Sequence, residues 1–202
     1  MAAGAGDGSR VTMLDRALAK RIRLVGLDVD GVMTDGGIYV GLVADHAVEF
    51  KRFHIQDGLG VKMLQWAGIP VVLVSGRRSD ATTLRAKELG IEDVVQDDGA
   101  KKLPAFEEIL ARRGVRWEAC AFVGDDLADL PLLRRVGLPV AVANAVAEVK
   151  AAAALVTATL GGQGAVREVA EAILKARGDW PRLVTEYLEQ RGDVAERALG
   201  SR

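Results

Sequence analysis

The chain has 202 residues, of which 50% are apolar, 27% charged and 4% aromatic, and its formal net charge is −1. This length and apolar fraction suit one folded domain and exclude a disordered chain, while 27 basic residues against 28 acidic ones leave no basic excess for binding nucleic acid. No apolar run is long enough for a signal peptide or a membrane span, so we expect a cytoplasmic protein with no membrane partner.

Short apolar runs alternate with helical patterns from residue 22 onward. The runs are rich in Val, Ile and Leu, as in strands that are covered on both faces, and they predict strands over 22–29, 70–74, 93–95, 119–123 and 138–142. Helices are predicted over 58–67, 79–89, 101–113, 127–136 and 165–177. This alternation predicts an α/β fold, a Rossmann-like three-layer sandwich around a central parallel sheet, with its active site beyond the carboxyl ends of the strands. The single cysteine, Cys120, falls inside a predicted strand and should be buried.

One segment, residues 36–56, breaks the alternation. Two β-like runs, 38–40 and 47–53, flank a glycine-bearing loop and predict a projecting β-hairpin whose exposed apolar edge needs a partner. About 21 residues separate Asp35 from Asp57, too few for a separate cap domain. We therefore expect an N-terminal tail or helix over 1–21, one domain over 22–178 that contains the hairpin and has no cap, and a helical C-terminal tail over 179–202.

Two carboxylates lie at the carboxyl end of the first predicted strand. Asp28 and Asp30 are two residues apart, so both side chains should point into one crevice at the strand's end. Two negative charges placed together are unfavourable unless a cation joins them or one is protonated. An acidic turn without a catalytic role is the alternative interpretation of this segment.

A second acidic motif, Gly124-Asp125-Asp126, follows the strand predicted over 119–123, with Asp129 three residues further on. Carboxylates from two strand ends, without histidine or thiol, indicate an oxygen-ligand site for a hard cation such as Mg²⁺. Helix capping is the alternative role for Asp126 and Asp129.

Two further motifs suit a phosphate ligand. The Ser75-Gly76 turn after the strand over 70–74 offers a hydroxyl and backbone N–H groups, as in a phosphate cradle. Lys101 and Lys102 open a predicted helix, where a positive charge is unfavourable unless an anion lies nearby. A solvated lysine pair is the alternative.

Taken together, residues 22–177 resemble the haloacid dehalogenase superfamily of phosphohydrolases, in which DxD, Ser/Thr, Lys and GDDxxD motifs occur in this order. The resemblance implies that Asp28 attacks phosphorus and forms an aspartyl-phosphate. It implies that Asp30 protonates the leaving oxygen and then activates water. It also implies that Ser75 and Lys102 hold the phosphate.

The same resemblance implies Mg²⁺ as the cofactor. Its expected ligands are the carboxylates of Asp28 and Asp125 and the backbone carbonyl of Asp30, with Asp126 orienting a metal-bound water. Of the two adjacent lysines, Lys102 matches the family, because the family's lysine directly precedes a leucine.

The segments DVDGVMTDGGIYVG, FHIQDGLGVKML and GDDLADLPLLRRVGLPVAVANA are similar to the cap-less 3-deoxy-D-manno-octulosonate 8-phosphate (KDO-8-phosphate) phosphatases. This similarity implies a small sugar acid phosphate as the substrate and a homotetramer as the assembly. The substrate contacts expected from the family and from the phosphate cradle are Ile55, Asp57, Gly58, Lys62, Gly76, Arg77 and Arg85. Gln56 and Lys62 stand where the family pattern has arginine, and the hairpin is longer.

Two other functions stay open at this point. A nine-carbon keto-deoxy sugar acid 9-phosphate is the alternative substrate, because Gln56 and Lys62 are expected to face the sugar acid. A non-catalytic oligomerisation module, as found attached to sialic-acid-activating enzymes, is the alternative from another class. The presence of every catalytic residue type favours the enzyme.

Overall fold

The computed structural model describes residues 14–99 and 101–193. Residues 1–13 of the expected N-terminal tail or helix and the last residues of the C-terminal tail lie outside these ranges. Six parallel strands form the central sheet in the order β5-β4-β1-β6-β7-β8, with helices on both sides. Their bounds are β1 Leu24–Leu27, β4 Val71–Ser75, β5 Asp93–Gln96, β6 Cys120–Gly124, β7 Leu138–Ala141 and β8 Leu155–Val156. The predicted α/β fold with a parallel sheet is confirmed.

Eight α-helices complete the described fold: α1 Arg16–Arg21, α2 Ile55–Trp66, α3 Asp80–Leu89, α4 Lys102–Arg113, α5 Leu130–Leu133, α6 Ala147–Ala152, α7 Ala165–Arg177 and α8 Trp180–Glu189. The sequence missed α6 and β8, whose short lengths leave no clear period. The helix predicted over 127–136 is instead a 3-10 turn, Leu127–Asp129, followed by α5. Reciprocal capping between Asp126 and Asp129 stabilises that turn. Within the described residues, no helix has the length and apolar character needed to cross a bilayer.

The hairpin consists of β2 Tyr39–Val43 and β3 His46–Phe50, which pair antiparallel. Its turn is formed by Ala44 and Asp45, with φ angles of 47° and 63°, as in the two-residue turns that match strand twist. The loop was expected to contain the glycine, but Gly41 lies within β2. An isolated bridge between Thr34 and Phe53 joins the base of the hairpin to the loop after β1.

The core lies between the sheet and its helices. Every residue of β1, β4 and β6 is buried, as expected for strands covered on both faces. Phe106 of α4 packs edge-on against Phe122 of β6, with ring centroids 5.6 Å apart, and Gly26 leaves space for both rings because a Cβ there would overlap them. Cys120 is buried as predicted, and burial raises the pKa of its thiol to about 12, so it is unreactive at neutral pH.

Candidate active site

The sheet order brings the predicted motifs to one edge. Strand β1 lies between β4 and β6, and all three are parallel. Asp28 therefore follows β1 beside Ser75, the last residue of β4, and Asp125, the first residue after β6. Lys102, the first residue of α4, enters the same site. These side chains meet beyond the carboxyl ends of the strands, where the site was expected.

A buried lysine joins two carboxylates at the centre of the site. The Lys102 ammonium donates to Asp28 Oδ1 at 2.6 Å and to Asp129 Oδ1 at 2.7 Å. All three side chains are nearly inaccessible to solvent, whereas the adjacent Lys101 is exposed. A buried ammonium requires such partners. A positive charge at the start of a helix is therefore tolerated here, because the carboxylates of Asp28 and Asp129 lie next to Lys102.

Burial and mutual repulsion perturb these groups. The pKa of Asp28 is raised well above its usual value, first because burial disfavours the charged form and then because Asp129 repels it, although Lys102 opposes both effects. Burial alone would lower the pKa of Lys102, but the charges of Asp28 and Asp129 outweigh it and the pKa is raised. Lys102 is therefore a permanent cation beside Asp28.

Asp125 completes a cluster of three carboxylates. Oxygen atoms of Asp28, Asp125 and Asp129 lie within 4.8 Å of one another. Burial, followed by the charge of Asp129, raises the pKa of Asp125 to about 6. Its Oδ1 is buried and has no hydrogen-bond partner. Three ionised carboxylates and one ammonium leave two negative charges uncompensated. This donor set fits a hard divalent cation.

Helix capping was the alternative role for Asp129, and the structure places this residue in the site as well. Its Oδ2 accepts from the backbone N–H of Asp125 at 3.0 Å while its Oδ1 accepts from Lys102. Both oxygens are therefore engaged by protein donors, which makes Asp129 an orienting residue for the loop that carries Asp125. Asp126 is exposed and accepts from the Leu127 N–H at 2.7 Å. The third acidic position of the GDDxxD motif was the signal that could have found Asp129.

Asp30 lies between Ser75 and the hairpin. The Ser75 hydroxyl is 3.5 Å from Asp30 Oδ2 and accepts from the Arg77 N–H at 3.1 Å. On the other side, the Lys51 ammonium donates to Asp30 Oδ1 at 2.5 Å. Arg77 pairs with Glu49 at 2.7 Å. Sequence reasoning missed Lys51 and Glu49, because nothing near them in the chain indicates that the hairpin folds back onto Asp30.

Asn144 is another residue that the sequence analysis missed. Its side-chain amide donates to the Gly31 carbonyl at 2.9 Å and accepts from the Gly161 N–H at 2.6 Å. A Cβ at Gly31, which has a φ of 92°, would overlap the Asp125 carboxylate. The glycine and the asparagine thus allow the loop after β1 to pack closely on the loop that carries Asp125.

The expected substrate contacts fall in two places. Gly76 and Arg77 follow β4 next to Asp30, whereas Ile55, Gly58, Lys62 and Arg85 line a groove of about 330 Å³ between α2, α3 and α8. In that groove Lys62 donates to the Leu89 carbonyl at 2.6 Å, so it caps the end of α3. Arg85 pairs with Glu88 at 2.7 Å.

The carboxylate of Asp57, the remaining expected contact, is buried and serves another element. Its Oδ1 accepts from the Arg167 N–H at 2.8 Å, at the start of α7. Burial raises the pKa of Asp57, and backbone hydrogen bonds from α7 oppose that rise. Asp57 is therefore a cap for α7, and a substrate contact there stays a prediction.

Comparisons with known proteins agree with this geometry. The family described as haloacid dehalogenase-like hydrolase matches residues 94–168. The 3-deoxy-D-manno-octulosonate 8-phosphate phosphatase KdsC of Escherichia coli K12 is 41% identical over 162 residues, or 80% of this chain and 84% of the relative. The corresponding Yersinia pestis protein is 43% identical over 159 residues, or 79% of this chain and 83% of the relative.

Solved structures are similar over most of their length. The phosphatase of the same description from Moraxella catarrhalis, in complex with a magnesium ion, a phosphate ion and a KDO molecule, has a TM-score of 0.80 and 38% identity, covering 85% of this chain and 97% of that one. A cobalt-bound phosphatase from Haemophilus influenzae has a TM-score of 0.73 and 40% identity, covering 80% of this chain and 92% of that one.

Proposed function

We propose that this chain, which belongs to the KDO-8-phosphate phosphatase family of haloacid dehalogenase-like hydrolases, hydrolyses 3-deoxy-D-manno-octulosonate 8-phosphate to the free sugar acid and phosphate with Mg²⁺ as cofactor. The observation that carries this proposal is the cluster of Asp28, Asp125, Asp129 and Lys102 at the carboxyl ends of β1 and β6, in which all but Asp125 are buried. Relatives with this name align over about four fifths of the chain.

Asp28 is the proposed nucleophile. Its carboxylate attacks phosphorus, the bond from phosphorus to the sugar oxygen breaks, and an aspartyl-phosphate forms. Lys102, held at 2.6 Å from Asp28, offsets the negative charge that would otherwise repel an incoming phosphate. Ser75 offers its hydroxyl to the phosphoryl oxygens from the end of β4.

Asp30 is the proposed proton-transfer group. It gives a proton to the leaving sugar oxygen in the first step, and it then takes a proton from the water that hydrolyses the aspartyl-phosphate. With a side chain 24% exposed, Asp30 is the more accessible of the two catalytic carboxylates, since that of Asp28 is 6% exposed. This difference suits a group that must exchange protons with the solvent.

The residues that would hold Mg²⁺ are the carboxylates of Asp28 and Asp125, with the backbone carbonyl of Asp30. The unpartnered, buried Oδ1 of Asp125 supports this assignment, because an oxygen in that state requires a donor or a cation. When bound, the ion neutralises the cluster and the phosphoryl oxygens. Asp126, exposed beside Asp125, is placed to orient a water in that region.

Arg77 is the proposed contact for the substrate carboxylate. Its guanidinium is partly exposed and already binds one carboxylate, because its Nη2 donates to Glu49 Oε2 at 2.7 Å. A guanidinium also matches the carboxylate of a sugar acid. Lys62 and Arg85 are further proposed contacts of the sugar acid, and they lie in the separate groove between α2, α3 and α8. The nine-carbon sugar acid 9-phosphate remains the second candidate substrate.

The hairpin is the proposed assembly element. Ile38, Val40, Leu42, Val43 and Phe50 expose between 57% and 76% of their surface on β2, β3 and the residue before β2. Exposed apolar strands of this kind need a partner, and we propose that hairpins from four copies pack together in a homotetramer. We also place the enzyme in the cytoplasm.

Phosphate release tests the function directly. KDO-8-phosphate, the nine-carbon 9-phosphate and glucose 6-phosphate are each supplied with Mg²⁺, with and without EDTA. We expect EDTA-sensitive release that is fastest for KDO-8-phosphate and falls by at least about a thousandfold in Asp28→Asn, because the amide cannot form the aspartyl-phosphate. If none of the three compounds releases phosphate, the non-catalytic module is favoured. Faster release from glucose 6-phosphate than from both sugar acid phosphates would exclude a sugar acid substrate.

A further inference from the structure

The two faces of the hairpin differ at the end of β3. Side chains alternate along β3, so Glu49 and Lys51 share one face and Phe50 lies on the other. Phe50 is 57% exposed, whereas the Lys51 side chain is only 2% exposed. The residue after β3 is therefore a buried lysine on the face opposite Phe50, and burial of an ammonium is unfavourable unless carboxylates meet it.

The carboxylates that meet Lys51 lead directly to the catalytic groups. Its ammonium lies 2.5 Å from Asp30 Oδ1 and 3.7 Å from Glu49 Oε1. The other oxygen of Glu49 pairs with Arg77 at 2.7 Å. A continuous row of alternating charges thus runs from Asp30 through Lys51 and Glu49 to Arg77.

The two oxygens of Asp30 are consequently in different surroundings. Lys51 holds Oδ1, and Oδ2 is directed toward the Ser75 hydroxyl at 3.5 Å, on the side of the proposed phosphate cradle. A carboxylate on a loop has freedom about its side-chain torsions, and a fixed ammonium on one oxygen removes that freedom. The other oxygen is then the one available for proton transfer.

We propose that Lys51 is a positioning residue that orients Asp30 for proton transfer to the leaving sugar oxygen and from the attacking water. This rests on the proposed function, in which Asp30 performs both transfers. Lys51 keeps its own protons throughout: the proton that leaves Asp30 goes to the sugar oxygen as its bond to phosphorus breaks, and Asp30 regains one from water. The hairpin thereby contributes to the chemistry of its own chain.

Lys51→Met tests the proposal, because it keeps the apolar stem and removes the ammonium. Lys51→Arg keeps the charge, and Lys51→Gln keeps a neutral donor in case methionine prevents folding. Arg52→Met is the matched control, since Arg52 is next in sequence, its side chain is 55% exposed, and its nitrogen is 3.8 Å from Asp35. Full-length enzymes with Mg²⁺ are assayed on KDO-8-phosphate and on p-nitrophenyl phosphate, with folding checked by thermal melts.

We expect Lys51→Met to lower kcat for KDO-8-phosphate about 100-fold, at the lower end of the contribution of general acid–base catalysis, with KM changed less than about threefold. Nitrophenolate leaves without a proton, so the first step on p-nitrophenyl phosphate should stay fast while hydrolysis of the aspartyl-phosphate slows. The early time course should then show a burst of about one nitrophenol per active site. Lys51→Gln should behave in the same way, Lys51→Arg should recover to within about tenfold of wild type, and Arg52→Met should match wild type.

Three outcomes would overturn the proposal. Unchanged kcat in folded Lys51→Met or Lys51→Gln would show that Asp30 needs no such partner. An increase in KM at constant kcat would make Lys51 a substrate contact. Equal losses on both substrates without a burst would assign Lys51 to phosphate binding or to structure. Failure of the proposed function is a different result, because the wild-type enzyme itself would then release no phosphate in an Asp28-dependent way.

Discussion

Replacing Asp125 with asparagine tests the charge balance of the cluster that also contains Asp28, Asp129 and Lys102. Burial and the charge of Asp129 raise the pKa of Asp125 to about 6, so its ionised form is unfavourable in the folded protein without metal. Asp125→Asn should therefore stabilise the metal-free protein at pH 7.5 and remove the stabilisation that Mg²⁺ confers. The order of the two melting temperatures should reverse between EDTA and Mg²⁺.

The size of the effect can be calculated from the pKa. A rise from the usual value near 4 to about 6 corresponds to roughly 3 kcal/mol, and because Asp125 is only partly buried, solvent screening reduces this to about 1–2 kcal/mol. For a chain of this length, 1 kcal/mol shifts Tm by about 2–4 °C, so the metal-free variant should melt about 3–6 °C higher. Mg²⁺ at about 100 times its Kd adds about 2.7 kcal/mol to the wild type, or about 5–10 °C.

The stability difference between Asp125→Asn and the wild type also depends on pH. Because the pKa of Asp125 is higher in the folded protein than in the unfolded one, its cost is absent below about pH 4, grows as the pH rises toward 6 and is constant above that. The advantage of Asp125→Asn in EDTA should therefore disappear at pH 4.

Calorimetric melts at pH 4 and pH 7.5 measure these shifts, with Glu107→Gln, an exposed carboxylate on α4, as the control that should move Tm by less than about 1 °C. If Asp125→Asn melted below the wild type in EDTA at pH 7.5, carboxylate repulsion would not be what strains the cluster. If Asp125→Asn kept the full rise in Tm that Mg²⁺ confers on the wild type, Asp125 would not be a metal ligand.

Arg77→Ala should raise KM for KDO-8-phosphate at least about tenfold and change KM for p-nitrophenyl phosphate little, because only the sugar acid has a carboxylate for the guanidinium. Equal increases of both KM values in steady-state assays would assign Arg77 to the phosphate or to folding. Val40→Glu and Leu42→Glu, at side chains 75% and 76% exposed, should each convert the proposed homotetramer to smaller species in light scattering. A wild type that is monomeric at micromolar concentration would contradict the proposed assembly itself. Asp57→Ala should lower stability by about 1 kcal/mol through loss of the α7 cap, and Asp57→Asn should recover much of it; thermal melts that show no loss would refute the cap.

Local patterns in the sequence were sufficient for five of the six strands of the sheet and for the polar residues at the ends of three of them. Apolar runs that end in Asp28, Ser75 and Asp125 each indicate a buried strand and a polar group at its carboxyl end, because burial on two faces requires a continuous apolar run and a parallel sheet brings strand ends to one edge. The choice of Lys102 over Lys101 came from the family pattern, and the structure places Lys102 in the site while leaving Lys101 exposed.

The tertiary structure alone decided which side chains from distant parts of the chain meet. Lys51 reaches Asp30 across 21 positions, and Asp57 reaches Arg167 across 110. Neither contact has a local signature, because a salt bridge or a cap between distant segments depends on how the elements pack rather than on neighbouring residues. For the same reason, Lys62 and Arg85 could be identified from the sequence as cations on α2 and α3, but only packing places them in a groove apart from Arg77.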